Sequence, residues 1–281
     1  MIQWAMPVPP FIPRPVKGGD FIGRQGLIRN LRGRIAQGES VAVIGGPKLG
    51  KTSLLRNALD GLPGRKVIER DLRETASLTG EEMSGAILVL DNLDHVPIQK
   101  ITALLAQVST AEPSSMILTG GHRLRALLST TSLLPKPTVR LYPLSVLLDG
   151  ELRQLVGRNM DRSIAMWTGN HPYLAKLFLH YGDAMLSEGR QQWEPFVRQL
   201  TEEIGEGAER QLLHYLIDCG QPVNPTKAGA ETGIDDIKSV ADRLVYMGAI
   251  SRWIRNEEAT LFAGCRLLNN FITGRPLDLV G

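Results

Sequence analysis

The 281-residue chain has only two cysteines, Cys219 and Cys265, and they do not form a CxxC pair. That excludes a disulfide framework and a cysteine-built zinc site. The five histidines are scattered, with none at the spacing of metal ligands. Long apolar runs are missing as well, since no stretch approaches the roughly 18 residues that a membrane-spanning helix needs. The opening MIQWAMPVPPFIPRP has neither a basic start nor an apolar run of signal-peptide length, and its prolines would break one. The expectation is a cytoplasmic protein with no membrane partner. Internal repeats and low-complexity tracts are absent, and so is a strong charge of one sign. A net charge of +3 with a pI near 8.9 permits contact with nucleic acid but does not argue for it.

What the chain does have is length for one large domain or two to three small ones, and a pattern that changes along it. Residues 1–19 are proline-rich with a Gly-Gly near the end, and read as an extended N-terminal arm with no core of its own. From 20 to 145, apolar strands alternate with helices. GRQGLIRNLRGRIAQG reads as a helix ending at Gly38, and VAVIG as a strand covered on both faces. A helix over 50–60 follows, stopped by Gly61 and Pro63. RKVIERDL, AILVLD, SMILTG and TVRLYPL supply four more strands, with helices at about 73–84, 96–109 and 121–130 between them. Such alternation predicts an α/β fold, a parallel sheet with right-handed crossovers and helices on both faces.

From 146 to 206 the strands stop, and the pattern is that of a small all-helical domain. Residues 207–281 differ again. AERQLLHYLIDCG and PTKAGAETG read as helices, and DIKSVADRLVYMGAI places Ile237, Val240, Ala241, Leu244 and Val245 on one helical face. ISRWIRNEEATLF then gives two short β runs around Asn256-Glu257-Glu258. Three helices closed by a hairpin make a winged-helix domain.

The stretch VAVIGGPKLGKTSLL carries the chemistry. Gly45, Gly50, Lys51 and Thr52 satisfy GxxxxGK[ST], the P-loop pattern, after a buried strand and at the start of a helix. Glycines let a loop wrap closely enough for consecutive main-chain N–H groups to point at phosphate oxygens, and the helix start adds its positive dipole end. Lys51 would reach the β- and γ-phosphates, and the Thr52 hydroxyl would complete a Mg²⁺ shell. The plainer alternative is a glycine-containing turn capped by Thr52. Asp91, closing AILVLD, fits the acid at a neighbouring strand tip that holds Mg²⁺ through water; an N-cap is its plainer reading. The glutamate that often follows such an aspartate is absent. Asn92 stands there and cannot accept a proton, which leaves Asp94 as the nearest substitute carboxylate. Slow hydrolysis, turned on by a partner, is the expectation.

With these motifs placed, the chain resembles the STAND-type signalling ATPases and the archaeal-type ATPases close to them, in the AAA+ neighbourhood. FIGR (21–24) looks like the entry motif ahead of the P-loop. GGPKLGKTSLL (45–55) is the P-loop, LVLDNLDHV (88–96) a variant Walker B, MILTGGHR (116–123) a sensor-1 strand, and WTGNHPYLAKLF (167–178) the GxP element of a helical lid. The resemblance implies ATP or ADP with Mg²⁺ as cofactors. It places Arg24 and Pro172 near the base. Gly45, Gly46, Pro47, Lys48, Leu49, Gly50, Lys51, Thr52 and Ser53 would lie on the phosphates. Asp91 and Thr52 would hold magnesium, and Thr119 or Arg123 would sense the γ-phosphate, with Arg125 a neighbour that could serve instead of Arg123. ATP over GTP is also implied by the family, and no NKxD guanine motif is present.

The 146–206 domain then corresponds to the lid, and the winged helix to the clamp that stabilises the ADP-bound form. No repeat array or effector domain is present in the chain, so sensor and effector functions are expected on other polypeptides. The leading expectation is a nucleotide-controlled switch with a separate effector or sensor protein and a nucleotide-dependent homo-oligomer. A DNA-handling ATPase of the initiator or transposition-helper kind is the alternative. Its reading helix would present Lys238, Asp242 and Arg243 outward, with Arg252 and Arg255 on the wing, a mixture of charges rather than a uniformly basic face. A third reading is a nucleotide-binding scaffold with no turnover.

Overall fold

Val41–Ile44 is apolar at every position, and it forms a strand, β1, buried along its whole length. It lies inside a five-stranded sheet with β2 (Val67–Asp71), β3 (Ile87–Asp91), β4 (Ser115–Gly120) and β5 (Arg140–Pro143), in the order β2-β3-β4-β1-β5. All four pairings are parallel. The structure, a computed structural model, describes residues 11–12, 14–15, 18, 21–62, 64–74, 83–130, 139–157, 162–255 and 257–277. Helix α1 (Gln25–Ala36) precedes the sheet, and α2 (Lys51–Leu59), α3 (Ile98–Thr110) and α4 (His122–Thr130) supply crossovers. The helix expected at about 73–84 falls mostly outside the described residues.

Alternation along β3 sends Leu88 and Leu90 to one face and Ile87 and Val89 to the other. Leu88 and Leu90 share an apolar cluster with Leu104 of α3 and Leu124 of α4. Ile87 and Val89 share one with Leu31 of α1 and Leu54 of α2. The sheet is therefore covered on both sides, which is why its inner strands read as unbroken apolar runs. Arg32 of α1 closes the end of α2, where C=O groups lack helical partners, by donating to Asn57 O at 2.9 Å and Ala58 O at 3.2 Å. Strand β1 has β4 on one side and β5 on the other, so the order of strands reverses there. In such sheets the crevice at the strand ends beside the reversal is where ligands bind.

This sheet and its helices lie within one compact unit, residues 15–144. Residues from Ser145 onward, with Phe11, Ile12 and Arg14, belong to a second. Its helices are α5 (Asp149–Val156), α6 (Arg162–Thr168), α7 (Pro172–Tyr181), α8 (Arg190–Ile204), α9 (Ala208–Cys219), α10 (Pro225–Thr232) and α11 (Ile237–Met247). An antiparallel hairpin, β6 (Ser251–Arg255) and β7 (Glu258–Phe262), and helix α12 (Arg266–Thr273) complete it. A single apolar cluster runs from Trp167 through Phe196, Leu212 and Leu244 to Leu268, across position 206. Of the arm, Phe11 lies on α7: its ring centroid is 5.6 Å from that of His180, and its N–H donates to the Tyr181 hydroxyl at 3.3 Å. No described helix is long and apolar enough to cross a membrane.

Two features differ from the sequence reading. Asp242, expected to face outward on α11, is 8% exposed and pairs with Arg252 of β6 at 2.6 Å. The hairpin folds over the helix and brings the cation that makes an inward-facing carboxylate tolerable. Helix α12 was not expected at all. Its entry is fixed against the end of α6: Arg266 stacks over the Trp167 ring at 4.6 Å, and Gly169, at φ 57°, abuts Cys265. Burial pushes the Cys265 thiol up to about 12, so it acts as a packed apolar group rather than a nucleophile. A Cβ at Gly169 would sit 2.6 Å from the Cys265 Cβ and 2.9 Å from its backbone. Gly169→Ala is therefore expected to cost about 3 kcal/mol, combining left-handed strain with overpacking, measured as a lowered urea midpoint.

Candidate functional site

The loop after β1 leaves the sheet at its switch point and stays tied to it. Gly45 donates its N–H to Gly120 O at 2.9 Å, joining the start of the loop to the end of β4. A side chain at Gly45 would meet the Leu144 Cβ at 3.0 Å. Lys48 at φ 54° and Gly50 at φ 92° both adopt the left-handed conformation, and this curls the loop back on itself before α2 begins at Lys51. The Lys51 ammonium lies across the curl, donating to Gly45 O at 2.8 Å and Gly46 O at 2.9 Å. Arg24 donates from Nη1 to Leu49 O at 2.6 Å. The C=O and N–H of one trans peptide point in opposite directions, so Arg24 turns the Gly50 N–H away from itself. Leu49 is buried beneath the loop, Gly46 is buried, and Pro47 and Ser53 are half-buried.

Two strand tips meet this loop. The Asp91 carboxylate, on a residue 2% exposed, accepts from the Thr52 hydroxyl at 2.7 Å, from the Thr119 hydroxyl, and from the Asn92 N–H at 3.1 Å. Thr119 in turn accepts the same Asn92 N–H at 2.9 Å. Three donors make a buried carboxylate tolerable. Helix α2, β3 and β4 are thus joined through Thr52, Asp91 and Thr119, side chains of three separate motifs. Asp94, in a short 3-10 turn after β3, accepts the Gly121 N–H through Oδ2 and so secures the end of β4. Its other oxygen is buried with no hydrogen-bond partner among the described residues. Arg123 is exposed on the first turn of α4. Pro172 takes the first position of α7 and belongs to the second unit.

Two residues at this edge escaped the sequence reading. Asp71 closes β2 and pairs in register with Asp91. Asn92, at φ 63°, turns its side chain to it, and Nδ2 donates to Asp71 Oδ1 at 3.1 Å. Arg73 meets both Asp71 oxygens through Nε, at 3.0 and 3.1 Å. The hydrogen bond from Arg73, helped by that from Asn92, holds the Asp71 carboxyl down at about 2. The signal was present, since β2 and β3 both end in aspartate, but only an in-register parallel pairing brings the two together.

The donor set fits the groups a P-loop takes. Thr52 and Asp91 offer a hydroxyl and a carboxylate 2.7 Å apart, the hard oxygen ligands that Mg²⁺ prefers. The curl supplies main-chain N–H groups, the start of a helix and one ammonium for a polyphosphate.

No protein-family model and no curated protein matches the sequence. Solved structures do match the fold. The Walker-type ATPase PABY2304 of Pyrococcus abyssi aligns over 92% of this chain and 97% of its own, with TM-score 0.56 and 15% identity. A STAND protein with a tetratricopeptide repeat sensor, PH0952 of Pyrococcus horikoshii, covers 94% of this chain, which spans 44% of that longer protein, at TM-score 0.42 and 16% identity. The RuvB Holliday junction branch migration motor of Thermotoga maritima aligns over 92% of this chain and 96% of its own, at TM-score 0.41 and 14% identity. The first likeness, near full length in both chains, agrees with the strand order and the loop: the chain has the parallel α/β fold of a P-loop NTPase.

Proposed function

We propose that the chain binds ATP and ADP at Gly45–Ser53 and works as a nucleotide-controlled conformational switch with slow or partner-stimulated hydrolysis. The observation that carries the reading is the joined set of Lys51 on the loop carbonyls and Thr52 on Asp91. A triphosphate entering the curl gives Lys51 oxygens of full negative charge in place of neutral carbonyls, so the ammonium turns from Gly45 and Gly46 to the β- and γ-phosphates. Mg²⁺ between Thr52 and Asp91 would neutralise charge on the same phosphates. Arg24 keeps the Leu49 peptide turned while this happens. Asp94 and Arg123 are assigned to the γ-phosphate side, with Asp94 fixing the Gly120-Gly121 turn and Thr119 passing any change at Asp91 to β4.

The second unit is read as a lid (146–206) followed by a winged helix (207–281), with Pro172 toward the base. ADP holds these parts closed, and ATP releases them to meet an effector protein or a second copy. The γ-phosphate does this by binding the two states with different affinity. Asp91→Asn keeps the side-chain size and one acceptor oxygen, so it should leave nucleotide affinity within about threefold. Mg²⁺-dependent turnover should fall on the order of 100-fold. Equilibrium titration with fluorescent ADP and a phosphate-release assay read the two quantities, and an Asp91→Asn variant with full turnover sinks the assignment.

The DNA-handling reading is weakened by the state of two of its basic residues, Arg243 and Arg252. On α11, Arg243 is engaged by Glu209 of α9 and by Ser239 at 3.0 Å, and Arg252 is engaged by Asp242. Cations already neutralised within the unit release few counterions from DNA, so duplex binding should be weak and its salt slope shallow. A slope equal to several phosphate contacts would instead favour DNA.

A further inference from the structure

Asn92 occupies the position after Asp91 and has no carboxylate, yet the structure holds it with care. Its main-chain N–H is shared between Asp91 and Thr119, its backbone is left-handed at φ 63°, and its amide is aimed at Asp71. A carboxylate paired with an arginine is an acceptor only. It therefore dictates which end of the Asn92 amide faces β2: Nδ2 must donate to Asp71, and Oδ1 is sent to the opposite side. Asp71 is itself immobilised by Arg73, which chelates both its oxygens. In-register residues of neighbouring parallel strands share a face and lie about 4.8 Å apart. Asp71 and Asp91 are such a pair, so the amide is oriented at the same sheet edge where Asp91 meets Thr52.

We propose that Asn92 Oδ1 accepts a hydrogen bond from the water that attacks the γ-phosphate, and that Asp71 with Arg73 is the positioning device that fixes its amide. The proposal rests on the nucleotide reading above. An amide oxygen can orient a water though it cannot take its proton, as the glutamine of some P-loop enzymes does. The step balances without a protein base. The water oxygen bonds to the γ-phosphorus, the bond from phosphorus to the β,γ-bridging oxygen breaks with its electron pair going to ADP, and the water's proton passes to a γ-phosphoryl oxygen. The products are ADP and dihydrogen phosphate. Orientation without proton abstraction makes turnover slow, in keeping with the missing glutamate.

The test uses the full chain with Asn92→Gly, since glycine keeps φ near 63° without strain while removing the amide. Turnover should fall at least about tenfold with KM unchanged. The variant should retain ADP with beryllium fluoride, which mimics bound triphosphate, and lose retention of ADP with aluminium fluoride, which needs the in-line water. Asp71→Ala should reproduce the loss in turnover in part. The double variant should be no slower than Asn92→Gly alone, because Asp71 acts only through Asn92. Unchanged turnover or aluminium fluoride retention in Asn92→Gly overturns the proposal, as does a wild type that binds nucleotide but never hydrolyses it. Additive losses in the double variant remove the positioning role of Asp71, because a merely structural aspartate would damage both backgrounds alike. A wild type that does not bind ADP defeats the nucleotide reading instead, and thermal melting identifies any variant that is simply unfolded.

Discussion

Lys51→Ala is expected to lower affinity for both ATP and ADP by at least about 100-fold, near 3 kcal/mol, while leaving the melting temperature almost unchanged. The ammonium reaches back from the start of α2 to the start of the curl, at 2.8 Å from Gly45 O and 2.9 Å from Gly46 O. Its removal takes away a charge-assisted partner for phosphate and exposes two carbonyl oxygens to an anionic ligand. Both effects act against binding. Little stability is lost, because those carbonyls can turn to water when the lysine is gone. Lys51→Arg should not restore affinity: the guanidinium is a planar fork and cannot replace a compact point charge across two carbonyls. Equilibrium titration with a fluorescent ADP analogue measures each variant. Affinity within threefold of wild type for Lys51→Ala means that the curl is not the phosphate site, and the proposed function falls with it.

The sheet was legible because its strands are short, apolar and separated by helices. VAVI, ILVL and MILT are buried on both faces, so their sequences carry no polar alternation that could be mistaken for a surface strand. The P-loop was legible for a different reason: phosphate geometry fixes residue type at four positions at once, and strand and helix flank them as the motif demands. Single residues were harder. Asp242 falls on the outward side of a helical wheel, and only the fold of β6 over α11 brings Arg252 to it. Asp71 ends a strand, like Asp91, but carries no motif, and its importance comes from register with β3 and from the turn of Asn92. Helix α12 is short, and the residues that fix its entry, Gly169 and Trp167, lie about a hundred positions earlier in the chain. In each case the missing information is a contact between separate elements of the fold, which no single segment's pattern carries.

The same long-range packing sets the second large effect. Trp193→Ala should destabilise the second unit by about 4 kcal/mol, within the usual range for truncating a buried tryptophan. Trp193 lies on α8 at 1% exposure, in the cluster that includes Trp167, Phe196 and Leu200. Its indole N–H donates to Met185 O at 3.0 Å, so the variant also leaves a buried carbonyl without its donor. A cavity bounded by α7, α8 and the segment between them cannot collapse easily, because that segment is already tight: a Cβ at Gly189 would lie 2.7 Å from Met185 O. Trp193→Phe, which refills most of the volume and loses only the hydrogen bond, should cost about 1–2 kcal/mol. Trp167 and Trp253 remain in the same unit as fluorescent reporters. With a urea slope of about 2 kcal/mol per molar, the Trp193→Ala midpoint should fall by about 2 M at unchanged slope. A shift below 0.5 M, on the order of 1 kcal/mol, would mean that the packing around α8 relaxes to fill the space, and that the cluster from Trp167 to Leu268 is not one tightly packed core.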